Sequence, residues 1–214
     1  MITVYGEGRG FRVVWLLEEM GLPYRLRQVD MLAGVENDPE FLAINPGGFI
    51  PAIQDGEVTM VESIAIMEFL MARYGPTPLA PAPNDPAFPL YQQFLHLGEA
   101  GLAAPANFVM LGPLPAPEIA HPDWTAGQAR AAFERRRKLV VRQLECSPFL
   151  AGDRFTAADI SVTYALQFAH RTGVTTLGDA EWAYLDRTTS RDAYRRAMDA
   201  CPGTKAWAAE ADRS

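Results

Sequence analysis

Residues 45–63 read Asn-Pro-Gly-Gly-Phe-Ile-Pro-Ala-Ile-Gln-Asp-Gly-Glu-Val-Thr-Met-Val-Glu-Ser, and three signals follow one another within them. Pro51 stands directly before an alternating, strand-like run. Asp55-Gly56 is a two-residue hairpin signal between Ala52–Gln54 and Glu57–Val61. Glu62-Ser63 then opens an apolar-periodic helix, and Ser63 is suited to be its N-cap. A proline at the head of a strand marks an edge or holds a cis bond. If Ile50–Pro51 is cis, the N–H and C=O of Ile50 turn away from the ladder. The N-terminus of the following helix offers free N–H groups and a partial positive charge, which suit a carboxylate. Together these predict a site for a peptide-like molecule with a free carboxylate; read locally, the same residues are a hairpin and a capped helix.

Outward from this stretch, a β-α-β-α unit precedes the hairpin. Ile2–Tyr5 is a short strand ended by Gly6-Glu7-Gly8-Arg9-Gly10. Val13, Leu16, Leu17 and Met20 then repeat at helical spacing, with Gly21 at the C′ position and Pro23 preventing continuation. Tyr24–Asp30 alternates as a second strand, and Asp38-Pro39 caps a brief helix, Pro39–Ile44. After the hairpin comes a helix over Ser63–Arg73 with Ile64, Met67 and Met71 on one face. The order is β-α-β-α-β-β-α. Strands joined through a helix should be parallel, with a right-handed crossover.

Bulk composition narrows the function. The 214 residues are 49% hydrophobic and 21% charged, with a net charge of −7, an ordinary globular balance for one or two domains. That charge argues against nucleic acid, which calls for basic stripes, and supplies no reason for an anionic membrane partner. Cys146 and Cys201 match no metal spacing and are too few for a disulfide framework, which fits a reducing cytosol. His96, His121 and His170 are scattered, so no metal is expected. Met-Ile-Thr-Val-Tyr-Gly has no basic region followed by an apolar one, so no secretory leader is expected. No apolar run approaches the roughly 20 residues of a membrane span.

The first eighty or so residues resemble the thioredoxin-like domain of the cytosolic glutathione S-transferases. The matching pieces are residues 12–24, Arg-Val-Val-Trp-Leu-Leu-Glu-Glu-Met-Gly-Leu-Pro-Tyr, then Asn45-Pro46-x-Gly-x-Ile50-Pro51, then Glu62-Ser63. A second anchor lies at Phe155-Thr156-Ala157-Ala158-Asp159-Ile160. Thr156 can cap the N–H of Asp159 while Asp159 reaches back to Thr156, and Phe155 and Ile160 hold the hydrophobic-staple positions. This resembles the capping box of the same family's helical domain. The fold implied is an α/β thioredoxin-like N-terminal domain plus an all-α C-terminal helical domain. Boundaries fall at 1–75, a linker over 76–89 and a helical part over 90–214, because prolines 76, 78, 81, 83, 86 and 89 cannot sustain a helix. Within the second half, Leu90–Leu111 is helical with a kink at Pro105, and Pro113–Pro122 is a loop. Thr125–Glu145 is a long helix whose run Arg135-Arg136-Arg137-Lys138 reads as a solvated face. Ile160–His170 is a central buried helix, and shorter helices follow around 179–187, 190–200 and 205–211.

The resemblance implies a transferase of bacterial type that joins the glutathione thiolate to a small hydrophobic electrophile, in detoxification. A cytoplasmic homodimer is implied with it. Glutathione would be the co-substrate. Ser63 and the helix N-terminus would hold its γ-glutamyl carboxylate, Glu62 its ammonium, and the Ile50 backbone ahead of Pro51 its cysteinyl part. Relatives place Tyr, Ser or Cys after the first strand to hydrogen-bond the sulfur. Residues 6–11, Gly-Glu-Gly-Arg-Gly-Phe, have no hydroxyl or thiol. What remains near the sulfur is Tyr5, the charge of Arg9, and the N–H groups of Gly10 and Phe11. Phe49 stands where many relatives carry Lys or Gln for the glycyl carboxylate. The acceptor site would lie between the domains, with Asn107, Phe108 and Tyr164 against the electrophile. Two other readings stay open: a non-catalytic protein holding glutathione or apolar ligands, and a thiol-exchange enzyme. The second would normally use an active-site Cys, and neither cysteine is near the first helix in sequence. The glycine-rich loop lacks both the Gly-x-Gly-x-x-Gly order and the Lys-Ser/Thr of phosphate-binding loops.

Overall fold

The computed structural model describes residues 1–111 and 122–211. Its first elements are β1 (Ile2–Tyr5), α1 (Gly10–Met20), β2 (Tyr24–Arg27), a 3₁₀ turn at Val35–Asn37, α2 (Pro39–Ile44), β3 (Ala52–Asp55), β4 (Val58–Val61) and α3 (Ser63–Tyr74). The strands form one sheet in the order β2-β1-β3-β4. β1 is parallel to β2 and antiparallel to β3, which pairs antiparallel with β4. The Asp55-Gly56 hairpin therefore forms as the dipeptide predicts, with Gly56 at φ 64°. Asp38 caps α2 by accepting the Phe41 N–H at 3.0 Å, and Pro39 occupies the first turn, where its missing N–H costs nothing. Gly21 ends α1 in the left-handed region at φ 64°.

The second compact unit, Pro78–Thr189, holds α4 (Phe88–His96), α5 (Ala104–Leu111), α6 (Pro122–Leu144), α7 (Ala157–Arg171) and α8 (Asp179–Thr189). Between α4 and α5 the chain winds as a π-helix over Leu97–Ala103. The irregularity thus lies upstream of Pro105, where a kink is predicted. Proline has no N–H for the carbonyl four residues before it and crowds that carbonyl, so the turn ahead of it carries the adjustment. Ser161 of α7 donates to the Leu95 carbonyl at 2.8 Å. A β-carbon on Gly98 would stand 2.2 Å from the Ser161 hydroxyl, so α7 packs tightly here because residue 98 has no side chain. The Pro113–Pro122 loop lies outside the described residues except for Pro122, which opens α6.

α7 starts with the predicted capping box. The Asp159 carboxylate accepts the Thr156 N–H at 2.8 Å. It also accepts the Leu150 N–H at 3.0 Å and the Tyr184 hydroxyl at 3.1 Å, so one buried carboxylate joins three segments. The solvated reading of the basic run holds poorly for Arg137. Its guanidinium forms a two-pronged pair with Glu181 of α8 and reaches Glu134 at 3.0 Å and Thr175 at 3.1 Å. Glu181 is 1% exposed, and the approach of α8 is what removes this face from water.

The chain then returns to the first unit, Met1–Thr77, which the stretch from Ser190 onward completes. That stretch carries α9 (Asp192–Ala200) and α10 (Pro202–Ala211). Tyr194 of α9 stands edge-on to Trp15 at 4.9 Å and to Phe11 at 5.5 Å. Around these rings, Arg191 pairs with both oxygens of Glu19 at 2.6 and 2.7 Å, and Arg196 with Glu18 at 2.7 Å. α1 is consequently buried from Gly10 to Leu17 without a solvent face. At about 1.5–3 kcal/mol for each large apolar side chain removed from water, its buried Phe11, Val13, Val14, Trp15, Leu16 and Leu17 contribute substantially to the unit's stability.

Candidate functional site

Three segments of the first unit come together at one end of the sheet. Ile50–Pro51 is cis, as is Gly75–Pro76. The loop from β1 to α1 lies directly on Ile50 and Pro51. A β-carbon at Gly6 would stand 2.4 Å from Ile50 Cγ2, and one at Gly10 would stand 3.3 Å from Pro51 Cβ. The ladder's last pair, Ala52 with Val61, sets Pro51 alongside Glu62. Glu62 and Ser63, and with them the start of α3, therefore share the edge occupied by Ile50.

Asn45 shapes the approach to that edge. Its side chain is buried, donates to the Phe49 carbonyl at 2.6 Å and accepts the Gly47 N–H at 3.0 Å. The turn is closed by the Gly48 N–H on the Asn45 carbonyl at 3.1 Å, with Gly48 at φ 65°. Phe49 points outward, 40% exposed. The Asx-turn pattern of Asn followed by Pro-Gly-Gly could have flagged Asn45 from sequence.

At the head of α3 the predicted cap is displaced by one residue. Glu62, not Ser63, is the N-cap, and Ile66 donates to its carbonyl at 2.9 Å. Glu62 has φ 71°, the one left-handed non-glycine residue among those described, and this sharp turn brings Ser63 into the helix. Ser63 is buried and Glu62 exposed. Glu62 makes no side-chain capping bond, so the first N–H groups of α3 begin beside a carboxylate that does not cap them. A non-glycine residue held in this region costs of order 1–3 kcal/mol and is a recognised companion of binding sites.

The residues predicted near the sulfur are placed as follows. Tyr5 lies in the core against Phe41, at 6.2 Å between ring centres, and donates its hydroxyl to Gln54 at 2.6 Å. The Gly10 N–H is bonded to the Glu7 carbonyl and the Phe11 N–H to the Gly8 carbonyl, each at 3.0 Å. Those two donors close the loop on itself and are not available to a thiol. Arg9 is the N-cap of α1 and half-buried. Glu7, which sequence reasoning passed over, is buried, and its carboxylate receives Gln28 and the first turn of α10. Its partners at positions 203 and 204 are too distant in sequence for any local pattern to reveal them.

Cys201 is buried at the head of α10, where burial first and the Glu7 charge second push its thiol up to about 12. Such a thiol is inert as a nucleophile at neutral pH. Cys146 is exposed in the other compact unit. Among the described residues no cluster of His, Cys, Asp and Glu could hold a metal, and no helix is long and apolar enough to cross a membrane. His121 lies outside the described residues. Of the residues predicted for the electrophile, Asn107 and Phe108 are on α5, with Phe108 59% exposed, and Tyr164 is buried on α7, stacked on Phe168 at 6.2 Å.

The model for the glutathione S-transferase N-terminal domain matches residues 10–73, and that for the C-terminal domain matches residues 122–210. Glutathione S-transferase 3 of Zea mays is 30% identical over 205 residues, 89% of each chain. The chain belongs to the glutathione S-transferase family. Glutathione S-transferase 3 of Schizosaccharomyces pombe is 37% identical over 95 residues, a match spanning 44% of this chain and 38% of that one. A solved glutathione S-transferase from Actinobacillus pleuropneumoniae superposes with a TM-score of 0.77 at 27% identity, covering 93% of this chain and 92% of its own. The thioredoxin-like sheet unit and the helical unit are thus those of a glutathione S-transferase, with the edge formed by Ile50, Glu62 and Ser63 inside the N-terminal domain match.

Proposed function

We propose that this chain binds glutathione at the edge built from Ile50, Pro51, Glu62 and Ser63 and transfers its thiol to hydrophobic electrophiles. The observation that carries the reading is the seating of the Gly6–Gly10 loop on Ile50–Pro51, beside the Glu62-Ser63 start of α3, which has no side-chain cap. The γ-glutamyl carboxylate takes the Ser63 hydroxyl and the first N–H groups of α3, where the helix dipole favours negative charge. The γ-glutamyl ammonium pairs with Glu62. The cysteinyl segment runs along Ile50, and its sulfur comes to the Gly6–Gly10 loop that rests on Ile50 and Pro51. With the Gly10 and Phe11 N–H groups engaged, the group left to favour thiolate is the Arg9 guanidinium at the positive end of α1. Phe49 leaves the glycyl carboxylate without the Lys or Gln that many relatives carry at this position. Asn107, Phe108 and Tyr164 are proposed to meet the electrophile, and the protein to work as a cytoplasmic homodimer.

A second reading, glutathione binding without turnover, draws on two specific features. The Tyr5 hydroxyl is spent on Gln54, and the Gly6–Gly10 loop has no side-chain hydroxyl of its own. Thiol exchange has less support, since Cys201 is buried with a raised pKa. Calorimetric titration with glutathione, beside a conjugation assay with an aryl electrophile, separates the readings. Binding with turnover supports transfer; binding alone supports the second reading; a flat titration overturns both.

A further inference from the structure

Three of the five residues in the Gly6–Gly10 loop are glycines, so its shape depends on what its two side chains hold. Glu7 holds a great deal. Its Oε1 accepts Gln28 Nε2 at 2.6 Å and the Gly203 N–H at 3.2 Å. Its Oε2 accepts the Thr204 N–H at 2.6 Å and the Thr204 hydroxyl at 2.8 Å. Its carbonyl meanwhile receives the Gly10 N–H at 3.0 Å. The backbone approach is close: a β-carbon on Gly203 would lie 3.2 Å from Oε2. Gly203 and Thr204 belong to the first turn of α10, whose N–H groups have no partner inside the helix. One buried residue therefore both closes the loop that rests on Ile50–Pro51 and receives the start of the C-terminal helix.

We propose that Glu7 is a positioning residue that couples docking of α10 to the shape of the loop facing the glutathione thiol. Glutathone binding and α10 docking then reinforce each other, because each selects the same loop conformation. The inference rests on the glutathione reading above. Its test is calorimetry with glutathione on the full chain and on Glu7→Gln, Thr204→Val and the double variant, together with hydrogen exchange over residues 202–211 with and without glutathione. Glu7→Gln should weaken binding about tenfold, the scale of one charge-assisted hydrogen bond. Thr204→Val, which keeps the backbone donor, should weaken it roughly threefold. The double variant should bind no worse than Glu7→Gln alone, because the Thr204 hydroxyl acts through Glu7. Glutathione should slow exchange over 202–211 in the unmodified chain. Unmodified protein that does not bind glutathione overturns the reading on which the proposal rests, and the proposal with it. Unmodified protein that binds, with Glu7→Gln binding equally well or exchange over 202–211 indifferent to glutathione, overturns the coupling alone.

Discussion

Gly6 lies against Ile50 with no room for a side chain at position 6. Gly6 has φ 81°, and a β-carbon there would stand 2.4 Å from Ile50 Cγ2. Gly6→Ala should therefore combine left-handed strain with overpacking and destabilise the protein by about 2–4 kcal/mol. The urea midpoint measures this. Glutathione affinity should fall too, since the loop is forced off Ile50–Pro51.

Glu62 carries backbone strain and, on the proposed reading, the ammonium of glutathione. Glu62→Gly should leave stability within about 1 kcal/mol, because relief of the left-handed conformation offsets the entropy of glycine. Glutathione binding should nevertheless weaken by roughly 1–3 kcal/mol in calorimetry, and Ser63→Ala should act similarly. Equal affinity in both variants would remove these residues from the site.

Tyr5→Phe removes the hydroxyl that Gln54 receives at 2.6 Å. A loss of about 1 kcal/mol in stability is expected, with conjugation rates unchanged within about twofold, less than half a kcal/mol. A large fall in rate at unchanged stability would instead put this hydroxyl on the sulfur.

Arg137 faces Glu181, which is 1% exposed. Arg137→Met would leave that carboxylate buried without its cation, an effect of about 3 kcal/mol. Replacing both partners by apolar residues should recover most of the loss. Thermal unfolding of the two single variants and the double variant checks this.

Asp159 is fully buried, and burial raises its pKa from 3.8 to about 6, against the hydrogen bonds from Leu150, Thr156 and Tyr184. Protonation is then easier in the folded chain than in the unfolded one. This group's contribution to stability is full below about pH 3.8 and is lost as pH rises through about 6. The fall should amount to roughly 2–3 kcal/mol, at 1.4 kcal/mol per pH unit. Urea unfolding of Asp159→Asn between pH 4 and 7 should show that component removed.

Local chemistry alone determined much of this protein. Asp55-Gly56 makes its hairpin, Asp38-Pro39 caps α2, Gly21 ends α1, and Thr156 with Asp159 builds the box at α7, because each feature needs only neighbours within a few residues. The edge proposed to bind glutathione was legible as local structure for the same reason, through Ile50-Pro51 followed by Glu62-Ser63. Tertiary structure decided what distant partners supply. It gave Tyr5 to Gln54 and Arg137 to Glu181, and it brought Tyr194 to Trp15 and Thr204 to Glu7. It also moved the cap from Ser63 to Glu62, whose positive φ is set by how β4 must turn into α3. Periodicity and capping patterns record what a segment can do alone; which buried polar group meets which other is settled only when separate segments exclude water together.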